Sequence, residues 1–208
     1  LALIQRAPKK QKELWRKLGV MPRGMDREVV EALARTNMGV DNDYRSLMRH
    51  GIKVALGDGW GGSMIATELS DILFRSPRPL SGRANLGVFK EDQVNIGVHG
   101  HVPVLSDMIA QVAGDPEIIK YAQSKGAKGI VVAGICCTAL ESLMRRGMPV
   151  AGNFLQQELA IITGALEMLI VDLQCVMPSL PNIASYFHTK VISTNPRAHF
   201  PGTEYIEF

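Results

Sequence analysis

Residues 129–138 read GIVVAGICCT, and this stretch decides the fold. Its first five residues form a short β-rich run, and a helical pattern over residues 138–146 follows almost directly. Short apolar runs followed by amphipathic stretches recur along the second half of the chain. Such alternation predicts strands connected by helices, which is typical of a parallel sheet built from βαβ units.

The predicted strands all lie after residue 92. They cover residues 94–98, 129–133, 149–151, 168–173, 190–193 and 204–207, and helices are predicted near residues 106–122, 138–146, 155–166 and 180–186. Because βαβ crossovers are right-handed, this series predicts an α/β fold with a Rossmann-like parallel sheet and helices on both faces.

The first part of the chain is predicted to be helical. Apolar residues recur at helical spacing up to about residue 76, and residues 57–63 form a glycine-rich loop between the third and fourth helices. Prolines and glycines at residues 77–87 then indicate a connecting loop. We therefore predict two domains: a helical segment with its linker at residues 1–92, and a Rossmann-like domain at residues 93–208.

The composition is that of an ordinary globular protein. The chain has 208 residues, of which 46% are hydrophobic and 21% charged, and a formal net charge of +3. This charge is too small to indicate a nucleic-acid partner. Glu158, Glu167 and Asp172 interrupt the most apolar stretch, so no membrane span is expected. Three cysteines do not make a secreted disulfide framework, and they indicate a reducing compartment.

Side chains that can bind metals follow the predicted strands where the strands end. His99 and His101 follow the first strand, Cys136 and Cys137 the second, and Cys175 the fourth. In an open α/β sheet, ligands bind at the carboxyl ends of the strands. Thiolate and imidazole donors suit zinc, copper(I) or iron–sulfur chemistry. We also expect the helix N-terminus to favour the thiolate form of a cysteine placed there.

Two other interpretations of this edge remain open from the residues alone. A free cysteine is often a small buried hydrophobe, so the thiols are also compatible with a purely structural scaffold. They are equally compatible with a Rossmann-like domain that functions on its own and binds zinc or a small ligand without redox activity.

Six motifs together resemble a single enzyme family. In chain order they are DGWGGS at residues 58–63, VNIGVHGH at 94–101, GICCT at 134–138, QQELAI at 156–161, DLQC at 172–175 and FHTK at 187–190. The combination resembles the catalytic subunit of anaerobic nickel–iron carbon monoxide dehydrogenase over essentially the whole chain. Within that family it is most similar to enzymes associated with acetyl-CoA synthase. The resemblance implies an internal fragment that holds the end of a helical domain and the first of two Rossmann-like domains.

The resemblance also implies a site. His101, Cys137 and Cys175 would be ligands of the nickel–iron–sulfur active cluster, with Cys136 as a buried neighbour, and Asp58 would lie near the proton-handling groups. The intact enzyme would interconvert CO and water with CO2, two protons and two electrons. The other ligands of this cluster, and the cysteines that bind the electron-transfer [4Fe–4S] clusters, would lie outside this chain, so the fragment alone is expected to be inactive.

The resemblance implies partners and one point of difference. The implied partners are a second copy of the subunit in a homodimer, an acetyl-CoA synthase subunit and a ferredoxin, in the cytoplasm of an anaerobe. Members of the family usually continue GICCT with Gly-Asn, whereas this chain has Ala139-Leu140. This change lies beside an implied ligand and bears on the hydrogen bonds around it.

Overall fold

The structure is a computed structural model that describes residues 2–207. The chain forms two compact units, Leu1–Leu73 and Phe74–Phe208. The division precedes the end of the linker expected from the sequence, because residues 74–92 pack on the second unit. The Asn85 amide donates to the Val150 carbonyl at 3.1 Å, and the Arg78 amide donates to the Met144 carbonyl at 3.0 Å.

The first unit is helical, as expected. A 3-10 turn at Ala2–Arg6 precedes helices α1 (Lys9–Lys17), α2 (Met25–Arg35) and α3 (Tyr44–Gly57), and α4 (Met64–Phe74) ends this part of the chain. Helix α3 starts after Asp43, whose side chain accepts a hydrogen bond from the Arg45 amide and so satisfies one of the free donors of the first turn.

The predicted glycine-rich loop between α3 and α4 is wrong. Residues Asp58–Ser63 form a π-helical turn that continues α3 directly into α4. The π-helix is rare and occurs mostly as a single wide turn inside an α-helix. The glycines predicted a loop because glycine has a low intrinsic propensity to form a helix.

The second unit is built on a six-stranded parallel sheet. Its strands are β1 (Val94–His99), β2 (Ile130–Ile135), β3 (Val150–Gly152), β4 (Met168–Val171), β5 (Lys190–Ser193) and β6 (Glu204–Tyr205), in the spatial order β3-β2-β1-β4-β5-β6. Strands β2 and β3 are added on one side of β1, and strands β4 to β6 are added on the other side, as in doubly wound folds. The predicted α/β fold class is confirmed.

Helices connect the strands. They are α5 (Pro103–Ala113), α6 (Pro116–Ser124), α7 (Cys136–Arg146), α8 (Gln157–Ile162) and α9 (Leu180–Ala184). The prediction of a single helix near residues 106–122 is wrong, because α5 ends before Gly114 and a second helix follows. Pro116 starts α6, and the Asp115 side chain caps it by accepting a hydrogen bond from the Glu117 amide at 2.7 Å.

The core of the second unit lies against the central strands. Its fully buried aliphatic residues are Ala133, Ile135, Ala151, Ala160, Ile161, Leu166, Leu169, Val171 and Leu180, each at most 1% exposed. Gly134 allows α7 to approach β2 closely, since a Cβ there would lie 2.4 Å from the Cα of Ala139. This close packing positions the first residues of α7 at the carboxyl edge of the sheet. No helix within residues 2–207 combines the length and the apolar character that a membrane crossing requires.

Candidate metal centre

The three predicted cluster ligands follow strands that are neighbours in the sheet. His101 follows β1, Cys137 lies in the first turn of α7 directly after β2, and Cys175 follows β4. Strand β1 pairs with β2 on one side and with β4 on the other. The loops also contact each other directly, because the Thr138 amide donates to the Gly100 carbonyl at 3.0 Å. All three residues therefore belong to one edge.

The thiols lie together at this edge. Cys136 is half-buried rather than buried as expected, and its thiol lies close enough to that of Cys175 for each to affect the pKa of the other. Cys137 and Cys175 are exposed. Burial raises the pKa of Cys136, and burial together with the neighbouring Cys136 raises the pKa of Cys175. The expectation that the helix N-terminus favours the thiolate is wrong for Cys136, since desolvation outweighs the helix end.

Asp172 holds the loop that carries His101. Its carboxylate accepts hydrogen bonds from the His101 amide at 2.6 Å and the Val102 amide at 2.9 Å, and also from the Leu173 amide. Gly100 has φ +134°, and a Cβ there would lie 1.7 Å from Asp172 Oδ1. The glycine is therefore required for the carboxylate to approach the loop. The sequence motif contained Asp172 but did not indicate this contact.

The side chain of His101 has a ring nitrogen that is available to a ligand other than the described residues. The imidazole is half-buried, and its Nδ1 is buried without a hydrogen-bond partner among residues 2–207. A buried polar atom without a partner is costly, so native proteins rarely leave one unsatisfied unless it binds a ligand or an ion. Imidazole and thiolate groups together are a donor set that iron–sulfur chemistry uses.

A cleft opens beside the cysteines. It has a volume of about 780 Å³, and its walls include Cys136, Cys137, Leu140, Asn85 and Gln156. Leu140 is 57% exposed there, whereas Ala139 is fully buried against Gly134. The Ala139-Leu140 pair that differs from the usual family sequence therefore places an alanine in the helix–strand contact and an apolar side chain in the cleft.

The arrangement does not match a single metal ion bound by the predicted ligands. In the described part of the chain, only Glu28, Glu31 and His50 place three candidate donor atoms within 4.8 Å of one another. That trio lies in the helical unit, and its carboxylates already accept hydrogen bonds from Arg23 and Arg35.

The predicted ligands are therefore spaced more widely than one ion requires. A tetrahedral zinc ion with Zn–S bonds of about 2.3 Å brings its sulfur ligands to about 3.8 Å from one another. In an iron–sulfur cluster each cysteine binds a different iron atom, which allows wider spacing. The donor types suit an iron–sulfur cluster, and the three predicted ligands are not gathered as a mononuclear zinc site would require.

Asp58, the remaining predicted site residue, is the first residue of the π-helical turn in the helical unit. Its proposed role near proton-handling groups remains a prediction.

Comparison with known proteins identifies the family. The model of the Prismane/CO dehydrogenase family matches residues 1–208. The chain belongs to this family. Carbon monoxide dehydrogenase 1 of Methanosarcina mazei is 57% identical over 204 residues, which cover 98% of this chain and 32% of that protein. The Ni-free carbon monoxide dehydrogenase of Thermococcus sp. AM4 is also 57% identical, with a TM-score of 0.94 over 99% of this chain and 33% of its own.

The name of a further relative combines two activities. The carbon monoxide dehydrogenase/acetyl-CoA synthase subunit beta of Moorella thermoacetica is 45% identical over 198 residues, which cover 95% of this chain and 29% of that subunit. The chain thus spans about a third of the length of the relatives that it matches.

Proposed function

We propose that this chain is part of a nickel–iron–sulfur carbon monoxide dehydrogenase that interconverts CO and water with CO2, two protons and two electrons. One observation carries the proposal: adjacent strand ends place His101, whose Nδ1 has no partner among residues 2–207, on the same edge of the sheet as the three cysteines, in a chain 57% identical to carbon monoxide dehydrogenases. The relatives are about three times as long, so the activity belongs to the whole protein.

In this proposal His101, Cys137 and Cys175 hold part of the active cluster. When bound, the cluster supplies the metal site for CO and the redox centre for the two electrons. The residues of this chain orient the ligands: Asp172 fixes the His101 loop through backbone amides, and the packing of α7 against Gly134 places Cys137 at the edge of the sheet. Asp58 would assist proton transfer.

The electron-transfer clusters are proposed to lie outside this chain. A [4Fe–4S] cluster takes four cysteine ligands. The chain has three cysteines, and two of them are assigned here to the active cluster. The residues that complete the active cluster would come from other parts of the same subunit.

We also propose the assembly implied by the resemblance. The intact enzyme would be a cytoplasmic homodimer that passes electrons to a ferredoxin and associates with an acetyl-CoA synthase subunit. The relative from Moorella thermoacetica supports the last partner, since its name joins the two activities.

Ligand substitutions test the proposal in the full-length parent protein. We expect Cys137→Ser and Cys175→Ser each to remove most of the CO-dependent reduction of a viologen dye and to lower the nickel and iron content, because a serine hydroxyl is a poor ligand for a soft metal site. His188→Ala is the control, because His188 is exposed and its ring lies 3.6 Å from Glu167, away from the thiols.

Two results would contradict the proposal. One is a parent protein that binds one zinc ion per subunit and holds neither nickel nor iron, which would favour the zinc-binding alternative. The other is full activity and full metal content in both serine variants, which would leave the thiols a structural role.

A further inference from the structure

A single buried imidazole connects the two loops that carry the cysteines. His99 is the last residue of β1 and is 1% exposed. Its Nε2 lies 3.0 Å from the carbonyl oxygen of Cys175, and its Nδ1 lies 3.3 Å from the carbonyl oxygen of Ile135, the residue directly before Cys136. The ring thus lies between the end of β2 and the loop after β4.

A buried glutamine supports the same loop from a second direction. Gln157, the first residue of α8, is fully buried. Its Nε2 donates to the Cys175 carbonyl at 3.0 Å and to the Phe154 carbonyl at 2.8 Å. Its Oε1 accepts from the Met177 amide at 2.9 Å and from His99 Nε2 at 3.0 Å. Because the Met177 amide can only donate, the orientation of the glutamine amide is determined.

The position of the hydrogen on His99 follows from these partners. All the groups that face the ring are oxygen acceptors, two at 3.0 Å from Nε2 and one, the Ile135 carbonyl, at 3.3 Å from Nδ1. The closer pair favours the hydrogen on Nε2, which donates it to Cys175 and Gln157. The Cys175 carbonyl therefore accepts hydrogen bonds from two buried side chains. A carbonyl held by two buried donors has little freedom to rotate.

The loop needs this support because its backbone is in an unfavourable conformation. Gln174 has φ 64° and Cys175 has φ 55°, in the left-handed region that residues with a side chain rarely adopt. Such conformations persist only where the surroundings enforce them. The thiol of Cys175 lies near that of Cys136, and Cys136 itself has φ 67°.

We propose that His99 and Gln157 are positioning residues that fix the Cys175 thiol relative to the cysteine pair at the start of α7. This inference rests on the proposed function, because the thiol that His99 and Gln157 would hold in place is a proposed ligand of the cluster. The geometry itself is a property of the metal-free chain and can be tested separately.

The test is thiol cross-linking in the full-length parent protein depleted of metal. Diamide oxidises two adjacent thiols to a disulfide and is itself reduced by the two electrons and two protons they release. Peptide mapping then follows the Cys136–Cys175 disulfide over time. We expect His99→Leu to slow its formation by about tenfold, a loss of the size that support residues of metal ligands show.

Matched variants separate positioning from general stability. His99→Gln keeps an N–H near the position of Nε2 and should restore at least half of the rate. Gln157→Glu keeps an acceptor for the Met177 amide but removes the donors to Cys175, so it should slow the reaction. Asn95→Leu is the control: Asn95 is buried on β1 at the opposite end from His99, and its hydrogen bonds go to Lys90, Gln93, Ala165 and Glu167. It should lower the thermal midpoint without changing the disulfide rate.

The outcomes distinguish this inference from the proposed function. Equal disulfide rates in His99→Leu and Asn95→Leu, at equal loss of thermal midpoint, would overturn the positioning role and leave the proposed function untouched. A parent protein without nickel or iron would overturn the proposed function, whereas a slowed disulfide in His99→Leu would still support the positioning role. When both hold, His99→Leu should also lower the iron content of the metal-loaded parent while His99→Gln retains it.

Discussion

At the scale of single residues, the candidate centre depends on contacts between backbone and side chain. Asp172 accepts hydrogen bonds from three backbone amides, and two of them belong to the loop with His101. Gly100 makes room for that carboxylate, since any Cβ would overlap Asp172 Oδ1. The loop that carries His101 is therefore held by hydrogen bonds from its main chain to a side chain of a neighbouring loop.

Replacing this carboxylate tests its role. We expect Asp172→Asn to destabilise the chain by about 1–3 kcal/mol, because an amide group turned toward these backbone amides leaves at least one of them without an acceptor. Urea unfolding followed by circular dichroism measures the change. Glu91→Gln is the control, since Glu91 is exposed. An unchanged unfolding midpoint for Asp172→Asn would show that the loop holds its conformation without the carboxylate.

At the scale of elements, charged side chains on and before α2 form a network that a hydrogen bond connects to α3. Glu28 on α2 is fully buried and accepts hydrogen bonds from Arg23 Nε at 2.9 Å and Nη2 at 3.0 Å. Glu31, one turn later, pairs with Arg23 and Arg35. The buried His50 of α3 donates from Nε2 to the Glu28 carbonyl at 2.8 Å. Hydrogen bonds from Arg23 lower the pKa of Glu28, and those from Arg23 and Arg35 lower the pKa of Glu31 to about 2.

This network predicts a loss of stability in acid. Between the ordinary Glu31 pKa of 4.5 and its folded value of about 2, the unfolded chain binds a proton that the folded chain does not. The free energy of unfolding should therefore fall as the pH decreases through this interval. Both tryptophans of the chain, Trp15 and Trp60, lie in the helical unit with ring centroids 6.1 Å apart, so their fluorescence reports its unfolding.

Substitutions identify the carboxylate responsible. Glu31→Gln should make the tryptophan transition less dependent on pH between about 4.5 and 2, since the titrating group is gone. Glu13→Gln should leave the dependence unchanged, because Glu13 is on the exposed face of α1 and lies 3.9 Å from Lys9. An identical slope in wild type and Glu31→Gln would refute the assignment.

At the scale of the whole molecule, the chain spans about a third of the length of the relatives that it matches, and the proposed cluster needs more ligands than this chain offers. The matched relatives are about three times its length, and the proposed ligands in this chain are three. Cys137 and Cys175 are exposed at the edge of the sheet, and the exposed Leu140 lines the cleft beside them. An open edge of this kind is compatible with donors supplied by other parts of a larger subunit.

The isolated chain should therefore be inactive. Purified residues 1–208 should not reduce a viologen dye with CO and should retain little iron after reconstitution with iron and sulfide, because three donors cannot saturate the proposed cluster. The full-length parent, treated in parallel, is the positive control. CO oxidation by the isolated chain would show that the three donors suffice.

The sequence predicted the succession of strands and helices along the chain well, because hydrophobic periodicity and the glycines and prolines between elements are local signals. Apolar runs of strand length recur between amphipathic stretches, and all six predicted strands are present with shifted ends. Predictions failed where a local signal had two meanings. The glycines of residues 57–63 indicated a loop, but a π-turn also accommodates them. The break between α5 and α6 depends on the cap at Asp115, which a long apolar pattern concealed.

By itself the sequence determined the fold class, the family resemblance and the edge of the sheet on which His101, Cys137 and Cys175 lie, because the alternation of strands and helices and the positions of strand ends follow from local patterns. The tertiary structure decided how those residues are held. The thiols of Cys136 and Cys175 lie near each other, and Asp172 supports the His101 loop. His99 and Gln157, which are 76 and 18 residues away from Cys175, both donate to its carbonyl. These contacts join residues distant in sequence, so they exist only after the parallel strands have brought the loops together.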